Sequence, residues 1–124
     1  MAFPTQLSCI ERAEAELGRQ LPQPLRERLL RENGGELSAE DDDWQLHPVW
    51  DDRDRRTMGR TANHIVRETA SARQWAGFPV GAVSVADNGS GDRLILRPGS
   101  TDIELWDHET RECRSVTLNW EQPG

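Results

Sequence analysis

Short apolar segments separated by turn-forming residues make up the C-terminal half of this chain, and this pattern restricts the possible folds more than any other feature. From Phe78 onward we predict strands near residues 82–86, 92–97, 102–107 and 112–118. Gly, Asn, Asp and Pro, the residues that favour turns, fill the gaps between them. Strands joined in series by such short turns form an antiparallel meander, because parallel strands need long crossover connections.

The segment Ala86–Leu96, ADNGSGDRLIL, has three possible roles: a phosphate loop, a cation loop or a hairpin turn. A Walker-type loop needs a lysine after its last glycine, and this chain contains no lysine. Counted from Asp87, an EF-hand would need oxygen ligands at places held by Gly89, Gly91 and Pro98. An Asn-Gly pair between alternating apolar residues is typical of a hairpin, which we therefore predict.

The N-terminal part predicts two helices joined as a hairpin. The first begins with a capping box of Ser8 and Glu11 and ends at Gly18, and the second starts at Pro22 and Pro24 and stops at Asn33–Gly35. Their apolar faces repeat at helical spacing, through Ile10, Ala13 and Leu17 in the first and Leu21, Leu25 and Leu29 in the second. We expect the three leucines of the second helix to be buried against the sheet.

Between the helices and the meander, the pattern is mixed. The acidic stretch that ends at Asp43 is interpreted as an exposed loop, and Trp44 and Leu46 alternate as in a strand. Pro48 disrupts strand pairing, so we expect this strand at the sheet edge. A third helix is predicted with its N-cap at Thr61 and a face formed by Ile65, Thr69, Ala72 and Ala76.

These elements predict an α+β fold in a single domain spanning residues 1–124. The N-terminal helical hairpin and one further helix pack on a mainly antiparallel β-meander, as one pair of layers. A length of 124 residues is that of one ordinary domain.

The charge of the chain is acidic and unevenly distributed. The formal net charge is −7, which disfavours nucleic-acid binding and favours a basic protein partner. Eight acids lie between Glu36 and Asp54, whereas five arginines lie between Arg55 and Arg73. Such runs are also common on solvated surfaces that bind nothing.

Cysteine usage and hydropathy predict a cytoplasmic protein. Cys9 and Cys113 are far apart and form no CxxC motif, so we predict two free, buried or half-buried thiols. No apolar segment reaches the roughly 18 residues that a membrane helix needs, and no signal-peptide pattern opens the sequence.

Three sequence pieces occur together in the order of a known family. They are IERAEAELGRQLPQPLRERLLRENGG from Ile10 to Gly35, the Gly91-Asp92 pair, and ELWDHET from Glu104 to Thr110. In these pieces the chain resembles the SUKH superfamily, which includes the fungal Smi/Knr cell-wall regulators and many bacterial immunity proteins.

The resemblance implies a small α+β protein without catalytic activity. Bacterial members typically bind and neutralise a toxin, often a nuclease, that is encoded beside them, so a basic toxin domain is the expected partner. The alternative within the family is a cytoplasmic regulatory scaffold of the Smi/Knr kind. Family members commonly end in a C-terminal helix, whereas the sequence VTLNWEQPG, from Val116 to Gly124, is too short and too rich in Pro and Gly to form one.

The cluster Asp107, His108 and Glu109 combines residue types that bind metals or transfer protons. A metal-dependent enzyme is therefore a further alternative. Consecutive side chains in an extended segment point to opposite faces, which favours a structural or turn-forming role. No Ser-His-Asp, Cys-His or HExxH pattern appears in the sequence, so no catalytic residue, cofactor or metal is predicted.

Tryptophan is the residue type most enriched among binding hot spots, but it is also common in cores. We expect Trp44 and Trp106 in the core and Trp120 partly exposed. The partner-binding surface is predicted from charge, as Glu40, Asp41, Asp42, Asp43, Asp51, Asp52, Asp107, His108 and Glu109.

Overall fold

The computed structural model describes residues 2–122. Its helices are α1 (Leu7–Leu17), α2 (Gln23–Arg31), α3 (Arg55–Arg60) and α4 (Ile65–Ala72). Its strands are β1 (Glu36–Ala39), β2 (Asp42–Leu46), β3 (Val83–Asp87), β4 (Arg93–Leu96), β5 (Glu104–Trp106) and β6 (Cys113–Ser115). The α+β class is confirmed, with helices packed on a meander.

The strands form one sheet in the order β1-β2-β3-β4-β5-β6, and each neighbouring pair is antiparallel. The acidic stretch predicted as a loop is instead the β1–β2 hairpin, so that prediction was wrong. Glu40 and Asp41 adopt φ of 53° and 59°, which closes a two-residue turn between Ala39 and Asp42. As a result β1 lies at the edge, and β2, predicted there, pairs on both sides.

The main core lies between α1, α2 and one face of the sheet. Leu37 pairs with Trp44 across β1 and β2, and Leu94 pairs with Leu105 across β4 and β5. The predicted helical faces pack there: Leu21, Leu25 and Leu29 are buried, whereas Leu17 is half-buried.

The N-terminus of α1 differs from the predicted capping box. Gln6 occupies the N-cap position without a side-chain hydrogen bond, and Ser8 lies inside the helix. At the other end Gly18 adopts φ +76°, as predicted for the C-cap. The buried Glu14 also stabilises the connection, because its carboxylate accepts a hydrogen bond from the Leu21 backbone N–H at 2.7 Å.

The third predicted helix corresponds to α4, and a short helix that was not predicted, α3, precedes it. Asp54 caps α3 by accepting a hydrogen bond from the Thr57 backbone N–H, and Thr61 ends α3 instead of starting α4. His64 caps α4 in the same way, so the N-cap lies three residues later than predicted. Ile65, Thr69 and Ala72 are buried as expected, whereas Ala76 lies beyond the helix and is exposed.

A second, smaller apolar cluster lies on the opposite face of the sheet. It consists of Ala72, Phe78, Ala82, Ile95 and Trp106, packed by α4 and the segment that follows it. Because both faces of β3 and β4 are covered, these strands are buried along almost their whole length.

An irregular C-terminal segment, residues 116–122, lies where the resemblance implied a helix. Val116, Leu118 and Trp120 pack on the main core. The buried Arg28 of α2 donates hydrogen bonds to the carbonyl oxygens of Trp120 and Gln122. The Gln122 side chain bonds both backbone groups of Ser38 in β1. The segment therefore connects the second helix to the sheet edge.

Candidate functional site

Three hairpin turns meet at one end of the sheet. They are the β1–β2 turn at Glu40 and Asp41, the β3–β4 loop at residues 88–92 and the β5–β6 turn at residues 107–112. The antiparallel order places alternate turns at the same end of a meander. Two acidic segments about 65 residues apart in sequence are thereby brought together. We call this surface, residues 40–43, 88–92 and 107–112, the acidic end.

A chain of side-chain hydrogen bonds connects the three turns. The Asn88 amide donates to Oδ2 of Asp42 at 3.0 Å and to Oδ2 of Asp92 at 3.2 Å. On the other side, Oδ1 of Asp92 lies 2.6 Å from Nδ1 of His108 and accepts a hydrogen bond from the His108 backbone N–H. The acidic end is therefore one connected unit rather than three independent loops.

Asp92 and His108 change each other's protonation. The hydrogen bond with Asp92 raises the pKa of His108 above its ordinary value, against a smaller lowering by burial. Burial raises the pKa of Asp92, but the hydrogen bonds from His108 and Asn88 together outweigh that effect and lower it. Both shifts favour a carboxylate paired with an imidazolium.

The predicted acids of the acidic end divide into bound and free carboxylates. Glu40 forms an ion pair with Arg114 at 3.1 Å, and Asp42 is held by Asn88. Within residues 2–122 the exposed side chain of Asp41 makes no hydrogen bond or ion pair. Asp43 has a single long hydrogen bond, from Ser38 at 3.4 Å, and Glu109 lies 4.0 Å from His108. Asp41, Asp43 and Glu109 are thus the carboxylates most available to a partner.

Asp107 has a local structural role. Its Oδ1 accepts hydrogen bonds from the backbone N–H groups of Glu109 and Thr110, and its carbonyl accepts one from Arg111. This matches the turn-forming interpretation. Ligand atoms of Asp92, Asp107 and His108 lie within 4.8 Å of one another, a group that could hold a metal ion. Glu109, the third residue of the predicted cluster, is outside this group.

Asp51 and Asp52 do not join the acidic end. Asp51 is only 2% exposed, and its carboxylate accepts hydrogen bonds from Thr5 and from the Arg53 guanidinium. Its prediction as a surface residue is corrected, because a carboxylate bonded on the inside cannot meet a partner. Asp52 is exposed and forms an ion pair with Arg12 of α1 at 3.3 Å.

A buried polar cluster on the second face of the sheet was missed by the sequence analysis. Nε2 of His47 lies 3.1 Å from Oγ of Ser84, and Nδ1 of His47 lies 3.8 Å from Oδ2 of Asp87. The Arg93 guanidinium contacts Ser84 at 3.2 Å and pairs with Glu68 at 3.2 Å. Ser, His and Asp therefore converge in space, although no sequence pattern marks them.

The geometry of this cluster does not suit a nucleophilic serine. Ser84 is fully buried, with 0% exposure, so no substrate carbonyl can reach its hydroxyl. Burial and the nearby Arg93 cation lower the pKa of His47 to about 3, which makes it a poor base at neutral pH. We therefore interpret the cluster as satisfied core polar groups.

Trp75 is a second residue that the sequence analysis missed. It follows α4, is 42% exposed, and lies beside the β5–β6 turn, with its ring centroid 6.4 Å from that of His108. Trp44 and Trp106 are buried and Trp120 is half-buried, as predicted. The predicted helical face, from Ile65 to Ala76, does not include Trp75, so the sequence pattern gave no expectation for its exposure.

A cleft of about 710 Å³ lies on another side of the molecule. Its charged lining residues are Glu36, Asp51, Arg53, Asp54, Arg56 and Arg60. Asp51 pairs with Arg53, Asp54 caps α3, and the Arg60 guanidinium lies 4.0 Å from the centre of the Phe3 ring. Because acids and arginines are equal in number, the charges lining this cleft favour neither an anionic nor a cationic ligand.

The remaining predictions concern the thiols and the membrane. Cys9 and Cys113 are free, buried and half-buried respectively, as predicted. In the part of the chain that the structure describes, no helix is both long and apolar enough to span a membrane.

Comparison with known proteins agrees with the resemblance noted in the sequence. No curated protein and no solved structure gives a significant match. The profile of the SMI1 / KNR4 family (SUKH-1) matches residues 4–122, nearly the whole chain. This match covers the helical hairpin, the complete meander and the C-terminal segment that packs on them. The chain therefore belongs to the SMI1 / KNR4 family (SUKH-1).

Proposed function

We propose that this protein is a non-enzymatic immunity protein that binds and neutralises a basic toxin domain. The toxin is expected to be encoded by a neighbouring gene and to be a nuclease, because nucleases present basic surfaces to their substrate. The acidic end is the proposed binding surface. Its negative charge would accelerate encounter with the toxin, and the bound protein would cover the toxin's substrate site.

The observation that carries this proposal is the connection of three acidic turns by Asp42, Asn88, Asp92 and His108. A surface that is ordered before binding loses little conformational entropy when it binds. The free carboxylates of Asp41, Asp43 and Glu109 are thereby presented from a rigid support.

Two arguments support a binding role over catalysis. The buried Ser84–His47 contact cannot reach a substrate, as described above. At the acidic end, Oδ1 of Asp92 and Nδ1 of His108 are bonded to each other, so a metal ion would have to displace that contact.

A regulatory scaffold of the Smi/Knr kind remains the second candidate, because the family includes such proteins. It would use the same surface for a basic cellular protein in place of a toxin. The two candidates differ in the partner and share the mode of binding.

Co-expression with the product of the adjacent gene tests the proposal. We expect a stoichiometric complex that survives size-exclusion chromatography and abolishes the nuclease activity of the partner. Asp41→Asn/Asp43→Asn should weaken the complex, whereas Glu11→Gln/Glu16→Gln, which removes the same charge from exposed positions on α1, should not. A stable complex with a cellular protein that has no toxic activity would favour the scaffold. No complex with either kind of protein would contradict both candidates.

A further inference from the structure

Trp75 is the large exposed aromatic residue beside the acidic end. Its 42% exposure contrasts with the buried Trp44 and Trp106 and the half-buried Trp50 and Trp120. An exposed tryptophan costs hydrophobic free energy unless it contacts a partner, and tryptophan is enriched among residues that dominate binding free energy.

The Trp75 ring is held by its neighbours on the protein side. It makes edge-type contacts with Trp106, at a centroid separation of 6.2 Å and an interplanar angle of 72°, and with His108, at 6.4 Å and 78°. Trp106 is itself fixed, because its indole N–H donates to the Gly77 carbonyl at 3.2 Å. Trp75 therefore presents an ordered surface, which reduces the entropy cost of binding.

The charges near Trp75 are arranged around a buried cation. Arg93 lies 5.9 Å from the ring centre and is 8% exposed, so it approaches from the inner side. In the sheet, Arg93 lies directly between Asp87 on β3 and Trp106 on β5. Its guanidinium donates hydrogen bonds to the Glu68 carboxylate and the Ser84 hydroxyl. The Arg93 guanidinium therefore already lies within cation–π distance of the inner side of the Trp75 ring.

Beside the exposed ring lies the β5–β6 turn, which carries His108 and Glu109. Asp92 pairs with Nδ1 of His108, and Glu109, whose side chain is 82% exposed, lies 4.0 Å from Nε2 of the same ring. Two arginines also lie close by, but Arg73 is committed to the carbonyl oxygens of Ala82 and Gly81. The other, Arg111, lies over Gly77, where an added Cβ would overlap its side chain. The exposed Glu109 carboxylate is therefore available to a cation that binds at the exposed side of the ring.

We propose that Trp75 is the anchor for an arginine side chain of a basic protein partner. The guanidinium stacks on the exposed face of the indole, and the exposed carboxylate of Glu109 neutralises its charge. This inference rests on the proposed function, since it assigns a recognition element to the acidic end. Trp75 would contribute most of the binding free energy at this site, and the exposed Glu109 carboxylate beside it would contribute less.

Peptide binding measured by NMR tests this anchor without knowledge of the natural partner. Uniformly ¹⁵N-labelled protein is titrated with hexaarginine and, separately, with hexalysine. We expect the Trp75 indole N–H signal to shift together with the backbone amides of His108 and Glu109. Arginine should bind more tightly than lysine, because a planar guanidinium stacks on an aromatic ring and an ammonium does not.

Substitution then separates aromatic anchoring from charge. Trp75→Leu should weaken hexaarginine binding about 3- to 30-fold, as expected for loss of a cation–π contact, and Trp75→Phe should weaken it less. Trp50→Leu, at a half-buried tryptophan that contacts His64, is the matched control and should have no effect. Amide spectra of each variant check that the fold is retained.

The outcomes distinguish this inference from the proposed function. Shifts at His108 and Glu109 without a Trp75 shift, and with native affinity in Trp75→Leu, would overturn the arginine anchor and leave the acidic end as the binding surface. No shift at any of these signals with either peptide would contradict both. If Trp75→Leu fails to fold, the shift of the Trp75 indole signal and the affinity of Trp75→Phe decide the question.

Discussion

Asp92 and His108 join the β3–β4 loop to the β5–β6 turn through two contacts with one oxygen. Oδ1 of Asp92 lies 2.6 Å from His108 Nδ1 and accepts the His108 backbone N–H at 3.1 Å. The Gly-Asp and Trp-Asp-His-Glu pieces that mark the family in the sequence are therefore in direct contact. Gly91 completes this contact, because an added Cβ there would lie 3.0 Å from the His108 ring at a φ of +108°.

Gly91→Val is expected to destabilise the fold and separate the two turns. A β-branched residue disfavours a positive φ, and its side chain would meet the His108 ring. The control is Gly89→Val, where φ is +80° but no atom lies within 4 Å of the added Cβ. Thermal unfolding should show a lower Tm for Gly91→Val than for Gly89→Val. Equal Tm values would show that the His108 contact contributes nothing.

The imidazolium form of His108 should stabilise the protein at low pH. The pKa of His108 is raised in the folded state, so its contribution is fully present below the unfolded value of about 6.5. That contribution is lost as pH rises through the higher folded pKa. We expect His108→Gln to lower Tm most at about pH 6, which is below the unfolded pKa, and least at about pH 9, which is well above it. A Tm difference independent of pH would contradict this assignment.

Leu25→Ala is expected to cost about 2–5 kcal/mol in free energy of unfolding, the usual range for a core leucine. Leu25 is fully buried, at 0% exposure, between α2 and the main core. Leu7→Ala, at a position 45% exposed, should change stability by less than about 0.5 kcal/mol. Denaturant unfolding of both variants measures the difference, and a Leu25→Ala variant as stable as the native protein would show that α2 does not pack as described.

Asp41→Asn/Asp43→Asn should slow association with the cognate partner about 2- to 10-fold at low salt and flatten the salt dependence. Thermal stability should hardly change, because exposed charges contribute roughly 0–1 kcal/mol each. Asp42 is left intact because it binds Asn88 and supports the surface. Stopped-flow association at several salt concentrations gives both quantities. An unchanged rate and salt slope would place the binding surface elsewhere.

Arg28→Met should release the C-terminal segment. Arg28 is buried and its guanidinium donates to the carbonyl oxygens of Trp120 and Gln122. Removing it leaves the Gln122 carbonyl without its donor, which should cost about 1–3 kcal/mol where that group stays buried, while the Trp120 carbonyl keeps its bond from Arg31. Arg31→Met is the control, since exposed Arg31 makes one hydrogen bond to the same Trp120 carbonyl. Hydrogen exchange at Ser38 should accelerate in Arg28→Met, and protection equal to that in Arg31→Met would contradict the role of Arg28.

Interactions between residues close in the chain account for the parts of the fold that were predicted correctly. Gly18 ends α1 because glycine tolerates the left-handed conformation, and the leucine spacing of α2 is a property of the helix itself. The Ser8 capping box failed because the helix begins one residue earlier, at Leu7, which places Ser8 inside the first turn. The acidic stretch was predicted as a loop because its run of charged residues is typical of exposed loops, and the two-residue turn at Glu40 and Asp41 was not recognised.

The sequence by itself therefore determined the meander, the buried leucines and the core tryptophans Trp44 and Trp106, since alternation and helical spacing act over a few residues. Only the tertiary structure decided that the acidic turns share one end of the sheet. It also decided that Asp51 is buried and that Trp75 is exposed beside His108. These outcomes depend on contacts between residues tens of positions apart, and burial and hydrogen bonding at such distances are set by strand order and register, which no local pattern encodes.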